Sequence, residues 1–286
     1  MEPVKALRRR TRFFILRNRA NHLLAVLKCT EAEERGEKYV QLDWIDIAIG
    51  VVVAIMIGFS KTGVPSSGIF AVTLMAMIFP AKDSVGIILP MLITGDIIAV
   101  IYYRRKVVWK YLWVLIPWVM VGIVVGYFFL EFVNDTQLKL TIGWIVLALI
   151  ALHLLRERFG GKVGMPDWLV AWFNPFLGAM AGFATMIGNA AGGVMSIYLL
   201  AKKLPKELFV GTGAWFFFCV NLLKVPFSVG LGMITWDSLV FNVWMIVPIL
   251  AGAWIGIRVL AKLPERWFQY SVLALSAIGA VKLIFF

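Results

Sequence analysis

The chain has 286 residues, of which 61% are hydrophobic and 15% charged, and it carries a net charge of +12. A soluble domain carries roughly 25% charged residues, and an interior of this size cannot hide so much apolar surface, so a water-soluble fold is excluded. The basic excess gathers in the first 30 residues and in short loops without any nucleic-acid-binding motif, which argues against nucleic acid as a partner and for the lipid bilayer.

Residues 1–42 read as a basic amphipathic arm. Lys5, Arg8, Arg9, Arg10 and Arg12 supply charge, and Phe13, Phe14, Leu16, Leu23, Leu24 and Leu27 supply a face for lipid. Its apolar run from Phe13 to Leu16 is shorter than the roughly 7–15 residues of a signal-peptide core, so no cleaved signal is expected. Beyond the arm, long apolar runs at 44–59, 85–103, 111–130, 138–155, 168–187, 208–223, 239–260 and 267–286 predict spanning helices. Two runs, 64–79 and 190–201, are too short for a comfortable span and begin beside small residues. The expected fold is all-α, a polytopic membrane protein.

An internal repeat organises these segments. A shift of 124 residues aligns Asp43-Trp44 with Asp167-Trp168 and Gly58-Phe59 with Gly182-Phe183. A shift of 125 aligns Gly63 with Gly188, Gly68 with Gly193, Pro80 with Pro205, Gly86 with Gly211 and Asp96 with Asn221. The domain reading is an arm at 1–42, a first transmembrane repeat at 43–158, a linker at 159–166 and a second repeat at 167–286. Each repeat holds four long segments and one short or broken one. Arg104, Arg105, Lys106 and Lys110, then Arg156, Arg158 and Lys162, then Lys202, Lys203 and Lys206 mark inside loops. If both short runs cross, the halves are inverted and the loop charges fit, but the basic arm falls outside. If they re-enter, the arm stays inside and the halves are parallel. Inversion is the favoured reading.

Short segments at equivalent places in duplicated halves point to a binding site. In Gly58-Phe59-Ser60-Lys61-Thr62-Gly63-Val64-Pro65-Ser66-Ser67-Gly68 an apolar helix stops, a lysine and hydroxyls appear, and a second helix starts. The new helix aims its N-terminal amides at the break, a favourable place for an anion, and Lys61 adds a full charge. A lysine snorkelling to headgroups is the competing account. The second half offers Gly188-Asn189-Ala190-Ala191-Gly192-Gly193, where Asn189 and the backbone donate hydrogen bonds, or the glycines serve helix packing. Asp96 is an ionisable group inside a span and thus a functional candidate, with coupling and structural readings both open. Lys224 is either a second anion ligand or a boundary residue. Arg104, in Tyr103-Arg104-Arg105, closes a helix at the inner surface and is a candidate gate. Tryptophans near segment ends, such as Trp109, Trp236 and Trp267, fit an interfacial belt. Cys29, Cys219, His22 and His153 have no metal or catalytic spacing. No cofactor, metal or enzymatic activity is expected.

Ser60-Lys61-Thr62-Gly63 with Pro65 and Gly68, Leu89-Pro90 with Asp96, Tyr103-Arg104-Arg105, Tyr198-Leu199-Leu200, Gly211-Thr212, Asn221, Lys224 and Pro226 together resemble the TauE/SafE family of sulfite exporters. The likeness runs from about Trp44 to the C-terminus, and Ser66-Ser67 stands where more glycine is expected. The resemblance implies duplicated halves and transport of sulfite, sulfonates or related anions. It implies Lys61, Thr62, Asn189, Asn221 and Lys224 as substrate-binding residues, to which the motifs add Gly63 and Gly188. The expected function is a secondary transporter exporting a small sulfur-containing anion from the bacterial cell across the inner membrane. The alternatives are an anion channel, or an importer of a sulfonate or other small carboxylate or oxyanion. Homo-oligomerisation is left open.

Overall fold

In hydrocarbon each backbone N–H and C=O must be satisfied within the protein, and a helix does this within one segment. The computed structural model describes residues 44–79, 81–132, isolated positions between 137 and 151, and 167–285. The arm at 1–42, the linker at 159–166 and most of the predicted segment at 138–155 lie outside these. Two units, Met1–Ile47 and Ala48–Phe286, divide the chain; of the first, only residues 44–47, which open the first helix, are described.

Among the described residues the elements are helical. They are α1 (Trp44–Thr62), a 3-10 turn (Pro65–Ser67), α2 (Gly68–Ile78), α3 (Ala81–Tyr103), α4 (Trp109–Phe132), α5 (Asp167–Gly188), α6 (Ala191–Ala201), α7 (Lys206–Gly230), α8 (Trp236–Lys262) and α9 (Glu265–Phe285). Among the described residues four stretches are long and apolar enough to cross a membrane: Asp83–Tyr103, Trp109–Leu130, Lys206–Gly230 and Ser238–Lys262. Helices α5 and α9 form where the sequence predicts further spans. The two short helices have 11 residues each, about 16 Å at 1.5 Å per residue, well short of a bilayer core of about 30 Å. Thr235 and Ser238 close a reciprocal cap at the start of α8, each side chain accepting from the other's backbone amide.

Helices α3 and α7 pack together at the centre. Of their most apolar windows, 61% and 56% are buried, against 33% for both α4 and α8, whose exposed faces carry Trp113, Val125, Phe128, Trp244 and Val247. This is the pattern of two inner helices flanked by two that face lipid. The inner pair runs antiparallel. Gly86 near the start of α3 lies against Met233 just past α7, Asp96 meets Asn221 midway, and Gly211 near the start of α7 lies against Lys106 just past α3.

Two crossings bring helix backbones into direct contact. In one, Gly58 of α1 lies against the Ile249 carbonyl and Ala253 amide of α8, while Gly252 lies against the Ile55 carbonyl. In the other, Gly122 of α4 lies against the Ala179 carbonyl and Phe183 amide of α5, while Gly182 lies against the Val119 carbonyl. A side chain at any of the four would overlap opposing backbone, and small residues are what permit such approach in membranes. Both pairs run parallel, since Gly50 sits by Phe241 and Gly63 by Gly256, and Gly178 sits by Trp118 and Gly126 by Met186.

Helix α1 also runs parallel to α3. Asn242 of α8, next to the Phe241 that touches Gly50, donates to the Ile87 carbonyl, whereas Lys61 and Thr62 lie level with Asp96 and Tyr103. With α1 and α3 pointing the same way, the intervening α2 turns back between them.

Candidate functional site

Helix α1 stops at Thr62 because Gly63 is a poor helix residue and Pro65 has no N–H and biases its predecessor away from helical dihedrals. The hydroxyls around the break are drawn into local bonds, Ser60 donating to the Ile57 carbonyl at 3.0 Å and Ser67 to the Val64 carbonyl at 2.7 Å. The second break, between α5 and α6, turns on Asn189, whose φ of 52° places it in the left-handed region. Asparagine is one of the few side-chain-bearing residues that enters this region readily.

The two breaks face a common cavity of about 40 Å³, bounded by Lys61, Pro65 and Gly68 from the first and by Asn189, Gly192 and Gly193 from the second. On this measure one water occupies about 10–15 Å³, so the space suits a group of about three water-sized units, the scale of a small oxyanion. The residues preceding α2 and α6, Ser67 and Ala190, provide no side-chain cap. The positive ends of two helix dipoles border the same volume without a capping side chain.

Charge is concentrated beside it. The Lys61 ammonium is 2.7 Å from Asp96 Oδ1, with side-chain exposures of 9% and 0%, and it lies 4.4 Å from the Phe217 ring centre. The other oxygen of Asp96 accepts from Asn221 Nδ2 at 2.6 Å. Lys224, three residues further along α7, is fully buried. Its ammonium donates to the Thr185 carbonyl at 2.7 Å and to Asn189 Oδ1, while Asn189 Nδ2 donates to the Val85 carbonyl at 3.1 Å. Asn189 therefore links Lys224, the second helix break and the start of α3.

Lys61, Asn189 and Asn221 thus line the cavity. Lys224 lies behind Asn189, and Asp96 joins Lys61 to Asn221. Thr62 is turned away: its hydroxyl is 2.8 Å from the Ala253 carbonyl, and its own carbonyl accepts from the Tyr103 hydroxyl at 2.9 Å. Gly63 packs on Gly256, and Gly188 is buried as the last residue of α5. Arg104 is exposed past the end of α3, outside the cavity lining. Thr185 and Phe217 line the cavity without having been singled out from the sequence. Phe217 carries a signal of its own, for positions 217, 221 and 224 share one helical face.

The left-handed turn makes Asn189 a direct test of the second break. Asn189→Gly and Asn189→Ala both lose the bonds to Lys224 and Val85, but alanine also carries about 1–2 kcal/mol of left-handed strain. The glycine variant is expected to unfold later than the alanine variant by that margin in SDS titration; equal stability would contradict the turn's role.

Neither a curated protein nor a solved structure matches the chain. The family model described as "Sulfite exporter TauE/SafE" matches residues 46–283, from the opening of α1 to the end of α9. That match spans both helix breaks, the central α3–α7 pair and both glycine crossings. With four apolar helices fit to cross a bilayer, this multi-pass membrane protein belongs to the TauE/SafE sulfite exporter family.

Proposed function

We propose that the protein is a secondary transporter exporting a small sulfur-containing anion, sulfite or an organosulfonate, across the bacterial inner membrane, and that the anion binds between the two helix breaks. The observation that carries this reading is the cavity bordered by Lys61, Asn189 and two uncapped helix starts. An oxyanion presents several acceptor oxygens, and ammonium, amide and backbone donors match them. Lys61, Asn189 and Asn221 contact the anion, Lys224 holds Asn189 in place, and Asp96 is the coupling group.

The same geometry supports two inverted halves. Helices α3 and α7 hold equivalent places in the repeat, and their antiparallel pairing is what inversion requires. The glycine crossings are reciprocal under the same relation: α1 of the first half packs on α8 of the second, and α5 of the second packs on α4 of the first. The reversal of α2 between two parallel helices supports a short crossing segment rather than a re-entrant one. Alternating access is then a rocking of the α1–α8 pair against the α4–α5 pair around the cavity.

Flux in proteoliposomes tests the function. Uptake of labelled sulfite is expected to saturate and to be accelerated by unlabelled sulfite on the opposite face. Large unsaturated currents without counterflow would instead identify a channel. In inside-out vesicles, accumulation supports export, while accumulation in right-side-out vesicles alone would reverse the assigned direction.

A further inference from the structure

We propose that the site is built for a singly charged oxyanion, and that a doubly charged one enters only together with a proton carried by Asp96. This rests on the anion-transport reading and specifies the charge of its ligand.

Among the described residues, Lys61, Asp96 and Lys224 are the only Asp, Glu, Lys or Arg side chains in the buried interior. Lys61 is matched by Asp96. Lys224 has only neutral acceptors on its ammonium, the Thr185 carbonyl and Asn189 Oδ1. With Lys224 protonated, two cations and one carboxylate leave one positive charge in excess. Thr185 and Asn189 line the cavity together with Lys61, so the excess charge borders the ligand volume. An unbalanced charge away from water is costly. A ligand of charge −1 brings the region to neutrality, whereas one of −2 leaves it negative.

Asp96 is placed to correct that surplus. It faces Lys61 from α1, and Asn221, Lys224 and Cys219 from α7, the last two within electrostatic range. Helix α8, which also packs on α3, brings Asn242 to the Ile87 carbonyl and has no buried charged side chain among the described residues. A proton on Asp96 would free Lys61 and raise the local charge by one. Asn221 serves either state. Its Nδ2 donates to the carboxylate at 2.6 Å, and its Oδ1 is buried without a hydrogen-bond donor among the described residues. After an amide flip that oxygen accepts from a carboxylic acid. An aspartate at this repeat-equivalent position would offer only acceptors to the ionised form.

The sign of the linkage follows. Dianion binding takes up one proton, so over the range where free Asp96 is ionised its affinity rises about tenfold for each unit the pH falls. Monoanion binding takes up none and is flat. Calorimetry on the purified full-length protein in nanodiscs tests this with methanesulfonate, a monoanion, and thiosulfate, a dianion, across the mildly acid range in which Lys224 is protonated. Repeating the thiosulfate titration in buffers of different ionisation enthalpy counts the protons taken up. The expected results are a constant methanesulfonate affinity, a thiosulfate affinity that climbs toward acid, and about one proton per thiosulfate. Asp96→Asn is expected to hold thiosulfate affinity high and independent of pH. A flat thiosulfate profile or a proton count of zero in the unmodified protein overturns the proposal even if Asp96→Asn fails to fold, and methanesulfonate binding then leaves the anion site standing. Failure of both anions to bind defeats the transport reading itself.

Discussion

Replacing Lys61 by methionine is expected to weaken sulfite binding by roughly 10- to 150-fold, the equivalent of one lost hydrogen bond to a charged group at about 1.5–3 kcal/mol. Transport should fall with it. The same change leaves Asp96 buried against Asn221 without its cation, and removal of one partner from a buried ion pair costs about 3–5 kcal/mol of stability. The two effects separate in the double variant Lys61→Met/Asp96→Asn, which removes the unpaired buried carboxylate along with the lysine. Its stability in SDS titration should recover most of the loss, while sulfite binding, measured by calorimetry, should stay weak. Recovery of binding in the double variant would show that Lys61 acts only as the counter-ion of Asp96. Unchanged binding in the single variant would remove it from the site.

A comparably large effect on stability is expected at the glycine crossings. Gly58→Ala pushes a methyl group into the Ile249 carbonyl and Ala253 amide, and Gly122→Ala does the same against Ala179 and Phe183. Overpacking costs about 1–3 kcal/mol where side chains can yield; here the obstacle is backbone, so losses at or above the top of that range are expected. Because these contacts belong to separate crossings, the double variant Gly58→Ala/Gly122→Ala should show additive losses. Gly58→Ala/Gly252→Ala acts on a single crossing, where one separation of the helices relieves both clashes, and should be less than additive. SDS unfolding of the three single and two double variants measures this, and equal non-additivity in both doubles would contradict the assignment.

How far the sequence leads depends on whether information is local. The helices follow from apolar runs, and the breaks at Thr62 and Asn189 follow from Gly, Pro and Asn at those points, so both are legible in a few residues. The distance of 125 residues between Asp96 and Asn221 is also visible as a repeat register. The Lys61–Asp96 pair is not, because nothing in either segment says that α1 and α3 run parallel at matching levels. The surroundings of Thr62 are hidden for a related reason: its hydroxyl donates to the Ala253 carbonyl, 191 residues away. Thr185 offers no local cue at all, since it enters the site through a backbone carbonyl that any residue type supplies.

The glycine crossings also have a mechanical consequence. Where two helices meet through side chains, rotamer changes let one slide past the other. Where backbone meets backbone there is no soft layer to shear, and sliding means overlap. Helices α1 and α8 therefore behave as one strut, and α4 and α5 as a second. The central α3–α7 seam differs: backbone meets backbone only at its two ends, Gly86 against the Met233 carbonyl and Gly211 against the Lys106 carbonyl, and between them Asn221 donates to Asp96. Asp96 thus sits midway along the seam, bonded across it to Asn221 and, through Lys61, to the first strut.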